Sequence, residues 1–364
     1  MNRRGLLKQG VLAAGAAGGI LAMPAVARSQ PAVIWKLASI FPKTLDVQFS
    51  TTETIARIAS ELTDGNFQIQ IFAAGEIVPP LQILDAVQAG TVQAGHTALY
   101  YAIGKDPAFA IPTSIPFGMN QRQQNAWMYE GGGIDLCNQF LAKYNVYHLP
   151  AGNSGGQMGG WFRKEIKSLQ DFVGLKFRTA GIGGEVMSRM GAVPQTIPAG
   201  EIYAALERGV IDGAEWVAPY DDERLGFVKV APYYYLPGFT EGQSVVNAIF
   251  NLEAWNQLPR SYQEILRNAC SYANVTMPAK MDARNPPALK RLVAAGAQLR
   301  AFPEEVVEAG RTASRQIMDE YAAKSPDFKI LYDSYSSFLQ DVYMWFSAQE
   351  IQYDNIMVKG LKKA

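Results

Sequence analysis

The chain has 364 residues, 48% of them hydrophobic, and its 33 basic and 33 acidic side chains balance. Single cores stop growing near about 250 to 300 residues, so this length predicts two lobes or domains. The balanced charge argues against nucleic acid as a partner. Two histidines, two cysteines and no HExxH or CxxC pattern disfavour a zinc site.

The N-terminus carries Arg3-Arg4-Gly5-Leu6-Leu7-Lys8, an Ala-, Gly-, Leu- and Val-rich middle, and a small-residue Ala25-Val26-Ala27 site. This is the layout of a cleavable twin-arginine export signal over 1–27, with a middle too short for a stable anchor. Export to the periplasm is expected, and it leaves a slightly acidic mature chain of about 335 residues. No later segment offers about twenty consecutive apolar residues without charge, so any membrane step is assigned to a partner. Cys137 and Cys270 read as buried small hydrophobes more readily than as a disulfide, and their pairing stays open.

Residues 33–38 read as a first strand, and Ile55, Ile58, Ala59 and Leu62 then recur at helical spacing up to the Asp64-Gly65 stop. Residues 67–72 alternate with a period of two, the mark of a half-buried strand. A helix containing Leu81, Leu84, Ala86 and Val87 ends at Gly90, before a short strand around Val92. This βαβαβ rhythm predicts a mainly parallel sheet covered by helices. Residues 86–96 are echoed in 205–215, each segment being a helix end, a glycine and a short strand, so His96 and Glu215 fall at equivalent strand ends. The alternation restarts near Asn153, and a late strand over 244–251 is expected to return to the first lobe as part of a hinge. From 330 to 358, Tyr332, Tyr335, Phe338, Leu339, Val342, Tyr343, Phe346 and Ile351 give a helix a broad apolar face. Such a face needs burial, on its own chain or by exchange between two subunits.

Arg178 ends an expected strand over 175–178, just before the Gly-rich 179–184 and a helix over 185–190. α/β proteins hold carboxylates at such a junction, and a guanidinium grips a carboxylate with two parallel hydrogen bonds. The turn lacks the Lys-Ser/Thr pair of a nucleotide loop. Glu215, followed by Trp216, and Glu241 bring two carboxylates to the same expected cleft. They resist joint ionisation unless a cation or an arginine lies between them. A hard cation would take oxygen ligands from them, from backbone carbonyls and from an amide such as Gln157. Tyr100, Tyr101, Trp161, Trp216 and the run Tyr233 to Tyr235 are aromatic residues that can wall a small ligand or fill the core. Asn247, on the returning strand, joins Arg178, Gln157, Glu215, Tyr100, Tyr101 and Trp216 as candidate ligand contacts. No Ser or Cys stands near a His in a recognisable nucleophilic arrangement.

Three segments carry a family resemblance: Ser168-Leu169-Gln170-Asp171-Phe172-Val173-Gly174-Leu175-Lys176-Phe177-Arg178; the Gly75-Glu76-Ile77 turn with Leu84-Asp85-Ala86-Val87-Gln88-Ala89-Gly90; and Gly209-Val210-Ile211-Asp212-Gly213-Ala214-Glu215. Together the chain resembles the solute receptors of tripartite ATP-independent periplasmic (TRAP) transporters over most of its mature length. The first segment is the most specific, because the family's carboxylate-gripping arginine closes such a segment and Arg178 stands in its place. Gly213-Ala214-Glu215-Trp216 and the long C-terminal helix resemble the family's α-keto acid receptors.

The resemblance implies a non-enzymatic receptor with a two-lobed α/β periplasmic binding-protein fold, hinge strands and a long C-terminal helix. Lobe 1 is expected over 28–152 plus about 242–280, lobe 2 over 153–241 plus about 281–329, and the helix over 330–364. It further implies that Arg178 binds the substrate carboxylate and that Gln157, Glu215, the Trp216 carbonyl and Glu241 hold a cation, sodium in this subgroup. That cation would bridge to the carboxylate and keto oxygens of a 2-oxo monocarboxylate such as pyruvate. Two subunits would swap C-terminal helices in a homodimer, and membrane permease subunits would receive the ligand. Lactate receptors of similar build use calcium, so the metal and the 2-oxo or 2-hydroxy choice stay open. The rival reading is a metal-dependent periplasmic enzyme acting on keto acids, with His96 as its base.

Overall fold

The computed structural model describes residues 32–361, and the expected export signal lies outside them. β1 (Val33–Ser39), α1 (Asp46–Glu61), β2 (Phe67–Phe72), α2 (Ile83–Gln88) and β3 (Ala94–Thr97) are followed by α3 (Gln121–Glu130), α4 (Gly133–Leu141) and β4 (Val146–Asn153). Next come β5 (Gly160–Phe162), β6 (Lys176–Arg178), α5 (Gly181–Arg189), β7 (Val193–Gln195), α6 (Ala199–Glu207), β8 (Gly213–Ala214), α7 (Pro219–Leu225) and β9 (Tyr233–Leu236). β10 (Val245–Asn251), α8 (Leu252–Gln257), α9 (Arg260–Ala294), β11 (Gln298–Ala301), α10 (Glu304–Lys324), α11 (Pro326–Ala348) and α12 (Glu350–Leu361) complete the order.

The strands form two sheets, one in each lobe. The first has the order β2-β1-β3-β10-β4 and the second β11-β9-β5-β8-β6-β7. β1 pairs in parallel with β2 and β3, as the βαβαβ rhythm predicts, while β10 runs antiparallel between β3 and β4. Both sheets are therefore mixed. β10 enters the first sheet on its way back from the second lobe, so it runs against its neighbours, and β5 likewise runs against β8 and β9.

Local chemistry explains these elements. α1 buries Gln48, Thr52, Ile55 and Ala59 along one stripe, and the chain leaves it through Asp64 and Gly65, both at positive φ. In β2 the burial alternates residue by residue at its start. α9 is a 35-residue helix whose first half packs Tyr262, Leu266, Ala269, Cys270 and Ala273 against Trp35, Phe67 and Phe250 of the first sheet. Burial of the larger of these side chains, such as Leu266 and Phe250, stabilises the fold by about 1.5–3 kcal/mol each. Further along, Met277, Met281 and Leu292 join the core cluster that contains the second sheet, and Pro278, Pro286 and Pro287 each remove one backbone donor from that stretch.

Cys137 and Cys270 are both buried and unpaired. The expected C-terminal helix resolves into α11 and α12, separated at Gln349. α11 buries Phe328, Leu331 and Tyr335 on its own chain, where Tyr335 Oη accepts a 2.7 Å hydrogen bond from Met119 N. α12 instead exposes Ile351, Tyr353, Ile356 and Val358. Among the described residues no helix is long and apolar enough to cross a membrane.

Candidate functional site

Arg178 is the last residue of β6, and its side chain is only 1% exposed. Its Nε donates to the Ile197 carbonyl at 3.1 Å and its Nη1 to the Glu215 carbonyl at 2.6 Å. Nη1 also lies 3.5 Å from Glu215 Oε2, and Nη2 donates to Tyr101 Oη at 3.1 Å. The guanidinium sits 4.8 Å from the centre of the Trp216 ring, a cation–π contact that orients it. The Gly-rich stretch after it is the first turn of α5 rather than a turn before a helix at 185. Gly181 has φ +58°, and a Cβ there would lie 3.1 Å from Tyr100 Cβ, while one on Gly183 would lie 3.2 Å from Thr240 Cβ. The glycines thus let the ligand wall press close to the helix start.

Glu215 and Glu241 are both buried beside this arginine. Burial pushes the Glu215 carboxyl well above the usual range, the Glu241 charge adds to this, and Arg178 opposes it. Burial also pushes Glu241 up to about 7, against hydrogen bonds from Ser244, Tyr100 and Gln157 and the charge of Arg178. Gln157 Nε2 donates to Ser154 Oγ at 2.9 Å and lies 3.4 Å from Glu241 Oε1. Gln157 Oε1, Glu215 Oε1 and Trp216 Nε1 are buried without a protein partner. Leaving such atoms unmatched costs about 1–3 kcal/mol each, so two free oxygens and one free N–H mark a place built for something else.

The site opens onto a small cavity of about 30 Å³ between the lobes. Tyr100 and Tyr101, which follow β3, face Gln157, Trp216 and Val217 across it. Phe41, Val246 and Met277 supply apolar wall, and Gln48 of α1 is a polar member. The structure thus gathers Arg178, Gln157, Glu215, Trp216, Tyr100, Tyr101 and Glu241. Asn247, Arg178, Glu215 and Glu241 lie outside the lining of this cavity, and Asn247 donates its Nδ2 to Thr113 Oγ1 at 2.9 Å and to the Val245 carbonyl while its Oδ1 is buried without a partner. Trp161 and Tyr234 stack on each other at 3.9 Å and both donate to Asp222, so they serve the second lobe's core. Tyr235 points to Ile166 in the same lobe.

His96 is fully buried between Ser39 Oγ and Thr51 Oγ1, and burial lowers its pKa to about 3. A neutral ring with both nitrogens engaged, away from the cavity wall, is no poised base. Gln48, Phe41, Val246 and Met277 were not among the sequence candidates. The available signal was Gln48 itself, a polar residue in the buried stripe of α1.

A second charged set joins the lobes at the rim. Asp46 at the start of α1 pairs with Arg224 of α7 at 3.2 Å and with Arg284 of α9 at 2.7 Å, and Tyr220 Oη donates to it at 3.0 Å. Arg224 also reaches the Thr44 carbonyl at 2.8 Å.

Two mixed sheets that enclose a cavity with a buried arginine and unmatched polar atoms define a two-lobed solute-binding protein. The family of bacterial extracellular solute-binding proteins, family 7 (DctP), matches residues 38–325, and the chain belongs to it as a TRAP solute-binding protein. A monocarboxylate 2-oxoacid-binding periplasmic protein of Nostoc sp. is 49% identical over 325 residues, 89% of each chain. A TRAP solute-binding protein of Bordetella bronchiseptica, solved as a mixed-occupancy dimer with copurified calcium and picolinate at one site and the other apo, is 45% identical. It superposes with a TM-score of 0.90 over 92% of this chain and 99% of its own. A TRAP periplasmic solute-binding protein of Pseudoalteromonas atlantica with bound sodium and pyruvate is 36% identical, with a TM-score of 0.86 over 89% of this chain and 99% of its own.

Proposed function

We propose that this chain is a periplasmic receptor that closes its lobes over a 2-oxo monocarboxylate such as pyruvate, held together with a cation, and delivers it unchanged to a TRAP membrane permease. The observation that carries this reading is the meeting of Arg178 with the unmatched Gln157 Oε1, Glu215 Oε1 and Trp216 Nε1 in one enclosed site. Arg178 Nη1 and Nη2 are the donors for the ligand carboxylate, and Trp216 Nε1 is a further donor to an oxygen of the ligand. No cluster of three His, Cys, Asp or Glu side chains forms among the described residues, so the donor set is mixed. Gln157, Glu215, the Trp216 carbonyl and Glu241 fit a hard cation, because oxygen donors are what such ions take. When bound, the cation supplies the positive charge that lets two buried glutamates and a ligand carboxylate stay ionised together.

Counting formal charges, Arg178 against two glutamates and one ligand carboxylate leaves two negative charges. Calcium neutralises them; sodium, which we assign on the resemblance, leaves one, and a proton on Glu241 removes it. Export by the twin-arginine route and a homodimer through the exposed face of α12 complete the proposal. So do the lobe divisions near Asn153, 242 and 280. Calorimetric titration of the metal-stripped mature protein with pyruvate, with and without sodium or calcium, tests it. Tight cation-dependent binding that leaves pyruvate intact supports the reading, and absence of binding under every condition overturns it.

A further inference from the structure

Gln48 projects from α1 of the first lobe and Asp221 from α7 of the second, and they meet beside the ligand cavity, which Gln48 lines. Gln48 Nε2 donates to Asp221 Oδ2, and both residues are essentially without solvent contact, at 1% and 0% exposure. The other oxygen of each side chain, Gln48 Oε1 and Asp221 Oδ1, is buried without a partner. A single proton on Asp221 Oδ1 would join these two atoms and give the cyclic, doubly bonded pair that a carboxylic acid forms with a primary amide.

We propose that Asp221 is a protonated acid that latches the two lobes through a double hydrogen bond to Gln48, so that closure over the ligand takes up one proton. The surroundings favour the neutral acid. Burial pushes Asp221 up to about 8; the Gln48 hydrogen bond opposes this, Asp222 and Asp46 add like charge, and Arg224 lowers it. The cations at hand are committed elsewhere: Arg224 and Arg284 pair with Asp46, Arg291 of α9 pairs with Glu223, and Lys280 donates to Ser50. Asp222 is held by Tyr234 and Trp161, so no cation answers a charge on Asp221 directly. Asp221 thereby acts as a positioning group: it does not line the cavity and works through Gln48.

The sign follows from linkage. A carboxyl whose pKa is raised on closing favours the closed state at low pH, and that advantage is lost as pH rises from the ordinary range near 4 toward about 8. Asp221→Asn reproduces the neutral acid, since its amide N–H takes the place of the acid proton. The ligand and the closure of the lobes over it rest on the receptor reading; the protonation of Asp221 does not. The test is pyruvate titration of wild type and Asp221→Asn from pH 5 to pH 8 with saturating calcium. The ratio of their dissociation constants is expected to change by more than about tenfold, with the variant binding tighter at pH 8. A ratio that stays constant across this range overturns the latch. Thermal unfolding of the ligand-free proteins is the second arm, with a Tm gap in favour of the variant that is widest at pH 8 and closes toward pH 5. If neither protein binds pyruvate the receptor reading fails, and this second arm still decides Asp221, a pH-independent gap rejecting it.

Discussion

Two charged clusters lie where the lobes meet, and they are built on opposite terms. At the rim, Asp46, Arg224, Arg284 and Tyr220 satisfy one another in partial contact with solvent. In the cleft, Arg178, Glu215, Glu241 and Gln157 are buried and leave two oxygens unmatched. The rim is complete as it stands, whereas the cleft is completed only by what it binds. Buried charge is retained at such a cost where a ligand repays it, and an exposed ion pair contributes only about 0–1 kcal/mol.

The comparison is broken most severely at Arg178. Arg178→Ala is expected to weaken pyruvate binding by about a hundredfold or more, with the circular dichroism spectrum kept, because a buried charge partner is worth about 2–5 kcal/mol. Near-native affinity in a folded Arg178→Ala protein would refute the carboxylate role. Glu241→Gln is next: the cation affinity read by calorimetry falls by about a hundredfold and pyruvate binding ceases to respond to added calcium.

Acid gives a smaller, graded effect. Glu241 has its pKa raised to about 7, so in the cation-free protein its ionisation destabilises the fold as pH rises from the usual carboxylate range toward 7. Calcium needs the ionised form, so its affinity falls as the pH drops through about 7, by about tenfold per unit below it. Potentiometric calcium titration at pH 5, 6, 7 and 8 checks this, and an equal affinity at pH 5 and 8 would contradict it. Sodium-dependent binding should fall less steeply than calcium-dependent binding, since a proton on Glu241 suits the lower charge. The smallest effect belongs to the rim, where Asp46→Asn costs less than about 1 kcal/mol by thermal unfolding and leaves the cation dependence intact.

Much of this arrangement was legible in the sequence where local chemistry and tertiary placement agree. The alternation of β2, the stop at Gly65 and the return of β10 follow from period, turn residues and strand length. Arg178, Glu215, Glu241 and Gln157 stand out as charged or amide side chains at strand ends or in loops, where a cleft between α/β lobes is built. Other positions depend on which way a side chain turns. His96 sits at a strand end as expected, yet it points into Ser39 and Thr51. Gln48 is not singled out by the sequence because a polar residue in a buried helix stripe has no meaning until Asp221 arrives from the other lobe. The strand directions of the sheets were legible only in part, because the antiparallel members come from chain reversals that no local pattern encodes.

α9 carries a further consequence. The chain passes from one lobe to the other between β4 and β5, between β9 and β10 and again along α9, whose two halves belong to different cores. α10 then packs beside α5 of the second lobe and α11 beside α3 and α4 of the first, a fourth passage. Neither half is a contiguous piece of sequence, and neither keeps its sheet or its covering helices if the other is lost. Residues from Val33 onward accordingly form one compact unit. Thermodynamically the receptor is a single cooperative body, and calorimetry of the mature monomer should record one unfolding transition whose calorimetric and van't Hoff enthalpies coincide.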